Sequence, residues 1–198
     1  MTATSGILLP MEHNDAMTRV AVHTLLFDAA TCAQAIELAR RSSFTQGRVG
    51  TDEARRRQIR RSDTWFFDAT PETDFIFAPL YSAVMRLNQS YNFDLTSFAT
   101  GCQIARYSAE DQGHYDWHID LGIGRFSRRK LSLSVQLSPS DAYEGGDLEF
   151  HLSGLNRNNM RQQGTLIAFP SFLQHRVTPV TRGERFSLVV WVDGPPYR

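Results

Sequence analysis

The chain has 198 residues, enough for one domain that buries a core without disulfides or a structural metal. Apolar residues make up 41% and charged residues 21%, a globular balance, and 21 Lys and Arg offset 21 Asp and Glu. Zero net charge argues against a dedicated nucleic-acid binder, and no apolar stretch approaches the ~20 residues of a membrane span.

Near the N-terminus only residues 7–10 form an apolar run, and no basic segment precedes it, so no secretory signal is read. Cys32 and Cys102 stand far apart in apolar surroundings with no CxxC motif. Buried free thiols in a cytoplasmic, reducing location are expected. Residues 18–27 predict a strand. Asp28 then caps a helix reaching about Arg41, with Ala29, Cys32, Ala33, Ile36 and Ala39 on one face. Residues 45–63, with Arg48, Arg55, Arg56, Arg57, Arg60 and Arg61, predict a long basic loop. Phe75, Leu80, Val84, Leu87 and Tyr91 recur at helical spacing over 73–91, with Pro79 as a place to kink. Trp65, Phe66 and Phe67 are expected in the core.

After Phe93 the pattern changes to short strands divided by turn residues: 97–107, 114–120, 131–138, 147–151, 165–169, 174–179 and 185–192. So many strands without an intervening helix indicate a jelly-roll, with the helices segregated to the N-terminal half and packed outside it. The expected organisation is a single domain over 1–198: a helical support region over about 1–92 and a β core over about 93–198.

The chemistry concentrates in HYDWHID, residues 114–120. Strand alternation sends Asp116, His118 and Asp120 to one face and Tyr115, Trp117 and Ile119 to the other. An HxD triplet alone is weak, since this composition yields roughly 0.4 by chance. His175, 55 residues beyond Asp120, supplies a third donor. Two imidazoles and one carboxylate on one side of an ion leave its remaining positions open, which suits Fe(II). Ten residues after His175 comes Arg185, and alternation places Arg185, Ser187, Val189 and Trp191 on one face. An arginine on an inward, mostly apolar face is costly unless an anion meets it, and its fork suits a carboxylate. Residues 181–184, TRGE, predict a hairpin turn with Arg182 exposed.

Tyr107, His118-x-Asp120, the run Tyr143 to Leu148 (YEGGDL), Pro170, His175, Val177, Pro179, Gly183-Glu184-Arg185 and Trp191 together carry a resemblance. From about Gln103 to Trp191 the chain resembles the prolyl/lysyl-hydroxylase-type (prolyl 4-hydroxylase-like) branch of the 2-oxoglutarate- and Fe(II)-dependent oxygenases. The resemblance implies an α+β protein built on a double-stranded β-helix (jelly-roll or cupin-like). It implies Fe(II) on His118, Asp120 and His175, and 2-oxoglutarate held by Arg185 with Ser187 and Tyr107 beside it. It implies ascorbate as a stimulant and hydroxylation of an unactivated C–H bond, with a protein or peptide side chain such as proline as substrate. The alternatives are a free amino acid or small metabolite as substrate, or a non-catalytic jelly-roll binding a metal or sugar. Asp120 stands where halogenating relatives lack a carboxylate. Gln136 stands where some prolyl hydroxylases have a second tyrosine, so Ser187 is the expected assistant of Arg185.

Around this set, Asp116 is either an acceptor that orders a metal ligand or solvated, and His114 is a polar edge residue or part of the pocket rim. Glu149 and His151 are expected on the surface, and His13 and His23 carry no motif. The basic residues Arg125, Arg128, Arg129 and Lys130 follow the metal strand and should lie near the pocket mouth. They and the loop at 48–61 are either solvated or a lid for an acidic substrate. Oligomeric state has no signature in the sequence.

Overall fold

A computed structural model describes residues 18–47, 58–152 and 157–197. Arg48, Arg55, Arg56, Arg57 and His13 lie outside the described residues. The strands in chain order are β1 Ala21–His23, β2 Thr45–Gln46, β3 Arg60–Arg61, β4 Asp63–Phe67, β5 Ser97–Ser108, β6 His114–His118, β7 Arg129–Gln136, β8 Tyr143–Gly145, β9 Leu148–Phe150, β10 Leu166–Pro170, β11 His175–Val177 and β12 Val180–Asp193. The helices are α1 Ala29–Arg41, α2 Asp74–Tyr91 and the short α3 Arg157–Arg161. The large sheet runs β1-β10-β7-β12-β5-β4-β2 with β8 paired to β12, and the small sheet runs β3-β6-β11-β9. All the pairings are antiparallel. The two sheets with helices on the outside are the expected α+β architecture, and none of the described helices is long and apolar enough to cross a membrane.

Alternation divides the large sheet. Cys102 and Ile104 of β5, Leu131, Leu133 and Val135 of β7, and Phe186, Leu188, Val190 and Val192 of β12 form one core with α1 and α2. Burying each large side chain of that set stabilises the fold by about 1.5–3 kcal/mol. The intervening residues, Gln103, Ser132, Ser134, Gln136, Arg185 and Ser187, are also buried but on the side away from this core. Buried polar groups need partners, so this second face has to be a site or a network.

Asp28 caps α1 as expected, its carboxylate accepting from the Thr31 N–H at 2.7 Å. The buried face is Cys32, Ala35 and Ala39, rotated from the expected one, and Ala29 and Ala33 are exposed. The helix is held close to the sheet by small residues, and its alanine-rich composition fits several faces equally. In α2, Ile76, Phe77, Leu80, Ala83, Val84 and Tyr91 are buried, and the helix continues through Pro79. Pro79 falls near the helix start, where the missing N–H costs little more than the bond to Phe75. Tyr91 is pinned to the sheet by its hydroxyl, which lies 2.9 Å from the Ala168 carbonyl.

Several boundaries differ from expectation. The strand expected over 18–27 is only β1, because Leu25 takes a positive φ of 61° and the Leu26 N–H turns to the Gly164 carbonyl. Residues 45–63 are not one loop: β2 and β3 pair with β4 and β6, and Arg60 is buried. Residues 181–184 are not a turn but part of β12, paired with β8 across a register shift. Gly183 permits this with φ +72°, since a Cβ there would sit 2.1 Å from the Ala142 carbonyl oxygen. Arg182 is nonetheless exposed, bound to Glu144 at 2.8 Å. Glu149 is not a surface residue: its side chain is 11% exposed and pairs with Arg176 at 2.7 Å, while His151 is exposed. Cys32 and Cys102 are free buried thiols, as expected.

Asp28→Ala removes a cap worth about 1 kcal/mol, which for a chain of this size lowers Tm by roughly 2–4 °C. Thermal denaturation followed by circular dichroism measures it.

Candidate active site

Three elements bring His118, Asp120 and His175 together. His118 ends β6, Asp120 lies two residues beyond it, and His175 opens β11 directly opposite His118 in the ladder. One donor atom from each lies within 4.8 Å of the others. The Asp120 carboxylate oxygens stand 3.7 Å from His118 Nε2 and 3.6 Å from His175 Nε2. His118 Nδ1 is 2.7 Å from the Asp116 carbonyl and His175 Nδ1 is 2.9 Å from the Leu173 carbonyl. A carbonyl can only accept, so each Nδ1 carries the proton and each Nε2 lone pair faces the shared space.

Asp120 is positioned through its backbone and its side chain. Its N–H donates to the Ser171 carbonyl at 2.9 Å, and its own carbonyl accepts from Arg129 at 3.2 Å. Its carboxylate accepts from the Ser132 hydroxyl at 2.7 Å, and Ser132 and Ser171 hydroxyls are 2.9 Å apart. Burial alone would raise the Asp120 carboxyl, but His175, His118 and the Ser132 hydroxyl together hold it below the usual carboxylate value. Burial, reinforced by the facing His175, pulls His118 down to about 4. At neutral pH the cluster is thus one carboxylate and a neutral imidazole at His118, the protonation state a metal requires.

Strand alternation in β6 fails at one point. Val177 pairs with Tyr115 and His175 with His118, one intervening residue on β11 against two on β6, so β6 carries a bulge. Tyr115 therefore joins the His118 side, its ring stacked on the imidazole at 3.4 Å between centroids. Trp117 stays on the other face, near Arg176 and His151. The Asp116 carboxylate is exposed and accepts from the Trp117 N–H, so the backbone of Asp116, not its side chain, orders His118. His114 is not an edge residue: it opens β6 opposite Arg61 of β3, with its ring nitrogens near the Gln112 and Gln58 carbonyls.

Arg185 lies at the other end of an inner pocket lined by Tyr107, Tyr115, His118, Asp120, His175 and Ser187, among others. It is 1% exposed, yet among the described residues no carboxylate pairs with it and its Nε has no hydrogen-bond partner. Nη1 donates to Ser187 Oγ at 3.3 Å and Nη2 to Gln136 Oε1 at 2.5 Å. Gln136 Nε2 donates in turn to the Tyr143 hydroxyl at 2.6 Å. The Tyr107 ring lies 5.5 Å from the guanidinium. Ser187 thus assists Arg185, but Gln136 does so more directly. Tyr143, Ser132 and Ser171 were not picked out as site residues by sequence reasoning. The polar positions alternating through RKLSLSVQ were the available signal for Ser132 and Gln136.

Outside this pocket is a cleft of about 660 Å³, lined by Thr45, Arg60, Phe66, Tyr115, Arg125, Arg129 and Trp191 among others. Phe66 is half exposed here, not in the core, whereas Phe67 is buried and stacks with Trp65 at 4.5 Å. Arg129 and Lys130 belong to β7 and are buried, so residues 125–130 are not a solvated loop.

Residues 102–193 match the family profile described as "2OG-Fe(II) oxygenase superfamily". The match falls on the strand-rich part of the chain, from β5 to β12. A PKHD-type hydroxylase of Synechococcus sp. (strain CC9605) is 35% identical over 103 residues, covering 52% of this chain and 46% of that protein. One from Hyphomonas neptunium is 40% identical over 83 residues, covering 40% of this chain and 37% of its own length. The matches therefore span less than half of these curated relatives. Among solved structures, a Pseudomonas putida prolyl-4-hydroxylase is similar with TM-score 0.71 at 24% identity, covering 90% of this chain and 94% of that one. A Trichoplax adhaerens prolyl hydroxylase in complex with a hypoxia inducible factor peptide fragment has TM-score 0.69 at 18% identity, covering 91% and 84%. At these identities the likeness is one of fold, and it is the double-stranded β-helix type expected.

The donor set fits Fe(II): two neutral-capable imidazole nitrogens and one carboxylate, with no thiol among the grouped ligands. Arg185, buried and lacking an anion among the described residues, fits the far carboxylate of 2-oxoglutarate.

His118 titrates at about 4 in the fold against 6.5 in an unfolded chain. Between those values the unfolded state binds the extra proton, so acidification favours unfolding. Stability of the metal-free chain should fall as pH drops from about 6.5 to about 4, measured by urea denaturation. His118→Gln should remove this part of the dependence.

Proposed function

We propose that this chain is an Fe(II)- and 2-oxoglutarate-dependent dioxygenase that hydroxylates an unactivated C–H bond of a protein or peptide side chain, with proline the first to test. The observation that carries this reading is Arg185: a buried cation without a carboxylate partner among the described residues, sharing one pocket with His118, Asp120 and His175. A metal-binding module has no use for such an arginine, and an enzyme with an oxo-acid co-substrate needs it.

In this reading His118 Nε2, His175 Nε2 and the Asp120 carboxylate hold Fe(II), with their Nδ1–H groups and Ser132 fixing the donor directions. Arg185 pairs with the distal carboxylate of 2-oxoglutarate. Gln136, itself held by Tyr143, keeps the guanidinium plane in place, and Ser187 and Tyr107 complete that end of the pocket. When bound, iron and 2-oxoglutarate supply the oxidation: dioxygen is consumed, the oxo-acid yields succinate and carbon dioxide, and substrate C–H becomes C–OH. Tyr115 and Trp191 line both the inner pocket and the outer cleft, so a substrate seated there excludes water from the reacting atoms. The size of that cleft supports a peptide segment over a free amino acid, as does the peptide held by the Trichoplax adhaerens relative of similar fold.

Succinate release from 2-oxoglutarate with Fe(II) and ascorbate, with proline peptides against free proline, tests this reading. Absence of 2-oxoglutarate consumption under every condition would sink it. His175→Ala should abolish turnover and lower iron content while the circular dichroism spectrum is kept. Arg185→Gln leaves the co-substrate carboxylate unpaired at a cost of roughly 2–5 kcal/mol, so the 2-oxoglutarate requirement should rise by at least about 30-fold with iron content unchanged. Arg182→Ala, at an exposed position bound to Glu144, should change neither.

A further inference from the structure

Resting on the oxygenase reading of the inner pocket, we propose that the outer cleft selects a substrate carrying a carboxylate beside the bond to be oxidised, and that Arg129, flanked by Arg60 and Arg125, receives it. The cleft lining holds these three guanidinium groups and, among the described residues, a single acid, Asp120. The Asp120 carboxylate is turned to the imidazoles and Ser132, and one acid against three guanidinium groups leaves the cleft positive.

Arg129 is 9% exposed, with its guanidinium 3.9 Å from the Trp191 ring and 4.5 Å from the Phe126 ring. Nη1 is spent on the Asp120 carbonyl, while Nε is buried with no hydrogen-bond partner among the described residues. Asp120 and Asp193 are the acids whose charges act on it, and neither closes an ion pair with it. Arg60 is 8% exposed, donates from Nε to Ser62 Oγ at 2.7 Å, and lies over Tyr115 at 4.6 Å without a carboxylate partner among the described residues. Arg125 is exposed at the rim and lies over Phe126. The other two cations of the segment are engaged elsewhere: Arg128 on the Gly194 carbonyl and Lys130 over the Tyr197 ring.

Aromatic rings cover the faces of these guanidinium groups, which leaves recognition to their N–H edges, the geometry that grips a carboxylate. Charges already stripped of water by the fold gain more from an anion than solvated ones do. Because Arg129 is bonded to the backbone of Asp120, a carboxylate held there lies close to the metal cluster. The carboxylate therefore belongs to the oxidised residue or to its immediate neighbour. Two sources share this chemistry: an acidic side chain in a peptide, or the α-carboxylate of a small molecule.

Equilibrium binding followed by tryptophan fluorescence reads the cleft directly, since Trp191 stacks on Arg129. The full chain is used without iron or oxygen, and with 2-oxoglutarate in excess to occupy Arg185. The probes are Ac-Glu-Pro-Glu-NH2, Ac-Gln-Pro-Gln-NH2 and N-acetylproline. At least one carboxylate probe should bind about tenfold tighter than the glutamine peptide, with the advantage shrinking as salt rises. Preference for the glutamate peptide assigns the carboxylate to a side chain, and preference for N-acetylproline to a small molecule. Arg125→Gln with Arg129→Gln should erase the preference, and Arg129→Lys should restore part of it. Arg125→Gln alone, at an exposed position, should reduce it several-fold and decides the matter where Arg129 variants fail to fold. Equal binding of all three probes, or a preference untouched by these variants, overturns the proposal. A chain that binds the glutamate peptide tightly yet never converts 2-oxoglutarate to succinate refutes the oxygenase reading alone.

Discussion

In β5, β7 and β12 every other side chain enters the core shared with α1 and α2, and the residues between are obliged to face the small sheet. The apolar half of that alternation supplies the stability. The other half delivers Gln103, Ser132, Gln136, Arg185 and Ser187 to a single buried surface where polar groups survive only if each meets a partner. Ser132 meets Asp120, Gln136 meets Arg185 and Tyr143, and Arg185 is left needing an anion. The chemistry of the pocket is thus the remainder of a packing requirement.

Much of this was legible because it depends on periodicity. The span of α2, the alternation of Arg185, Ser187, Val189 and Trp191, and the pairing of His118 with Asp120 all follow from the spacing of residue types along the chain. The resemblance then tied His175 and Arg185 to one pocket, and the geometry brings them there. What escaped depends on partners distant in sequence. The bulge in β6 is a mismatch of count between two strands, so HYDWHID alone gives no sign that Tyr115 and His118 share a side. The burial of Arg129 needs Trp191, 62 residues away, and a basic run in isolation reads as solvated. The face of α1 was misread because alanines at 29, 33, 35 and 39 give the helix no strong orientation until the sheet selects one.

The two buried arginines on the site side of the large sheet contrast instructively. Arg185 is held by neutral hydrogen-bond acceptors, Gln136 and Ser187, which fix its plane and leave its charge unanswered. Arg129 is held by aromatic faces and one carbonyl, with Asp120 and Asp193 acting on it only from outside ion-pair distance. Each is a cation kept inside the fold without an ion-paired carboxylate among the described residues, one at the inner end of the pocket and one in the cleft outside it. Such charges are expensive to the empty protein and return their cost when an anion arrives.

The clamp on Asp120 also bears on when the site can come into being. The Ser171 carbonyl, in the turn between β10 and β11, accepts the N–H groups of both Asp120 and Leu121 at 2.9 Å. The same turn leads into His175, so Asp120 and His175 are set by one contact that closes across more than fifty residues of chain. Closing so long a loop is unfavourable until the surrounding strands are paired. An unfolded or half-folded chain can offer the His118-x-Asp120 pair but not the third donor. On the oxygenase reading proposed above, the complete donor set exists only once this contact has closed, so Fe(II) would be loaded late in folding.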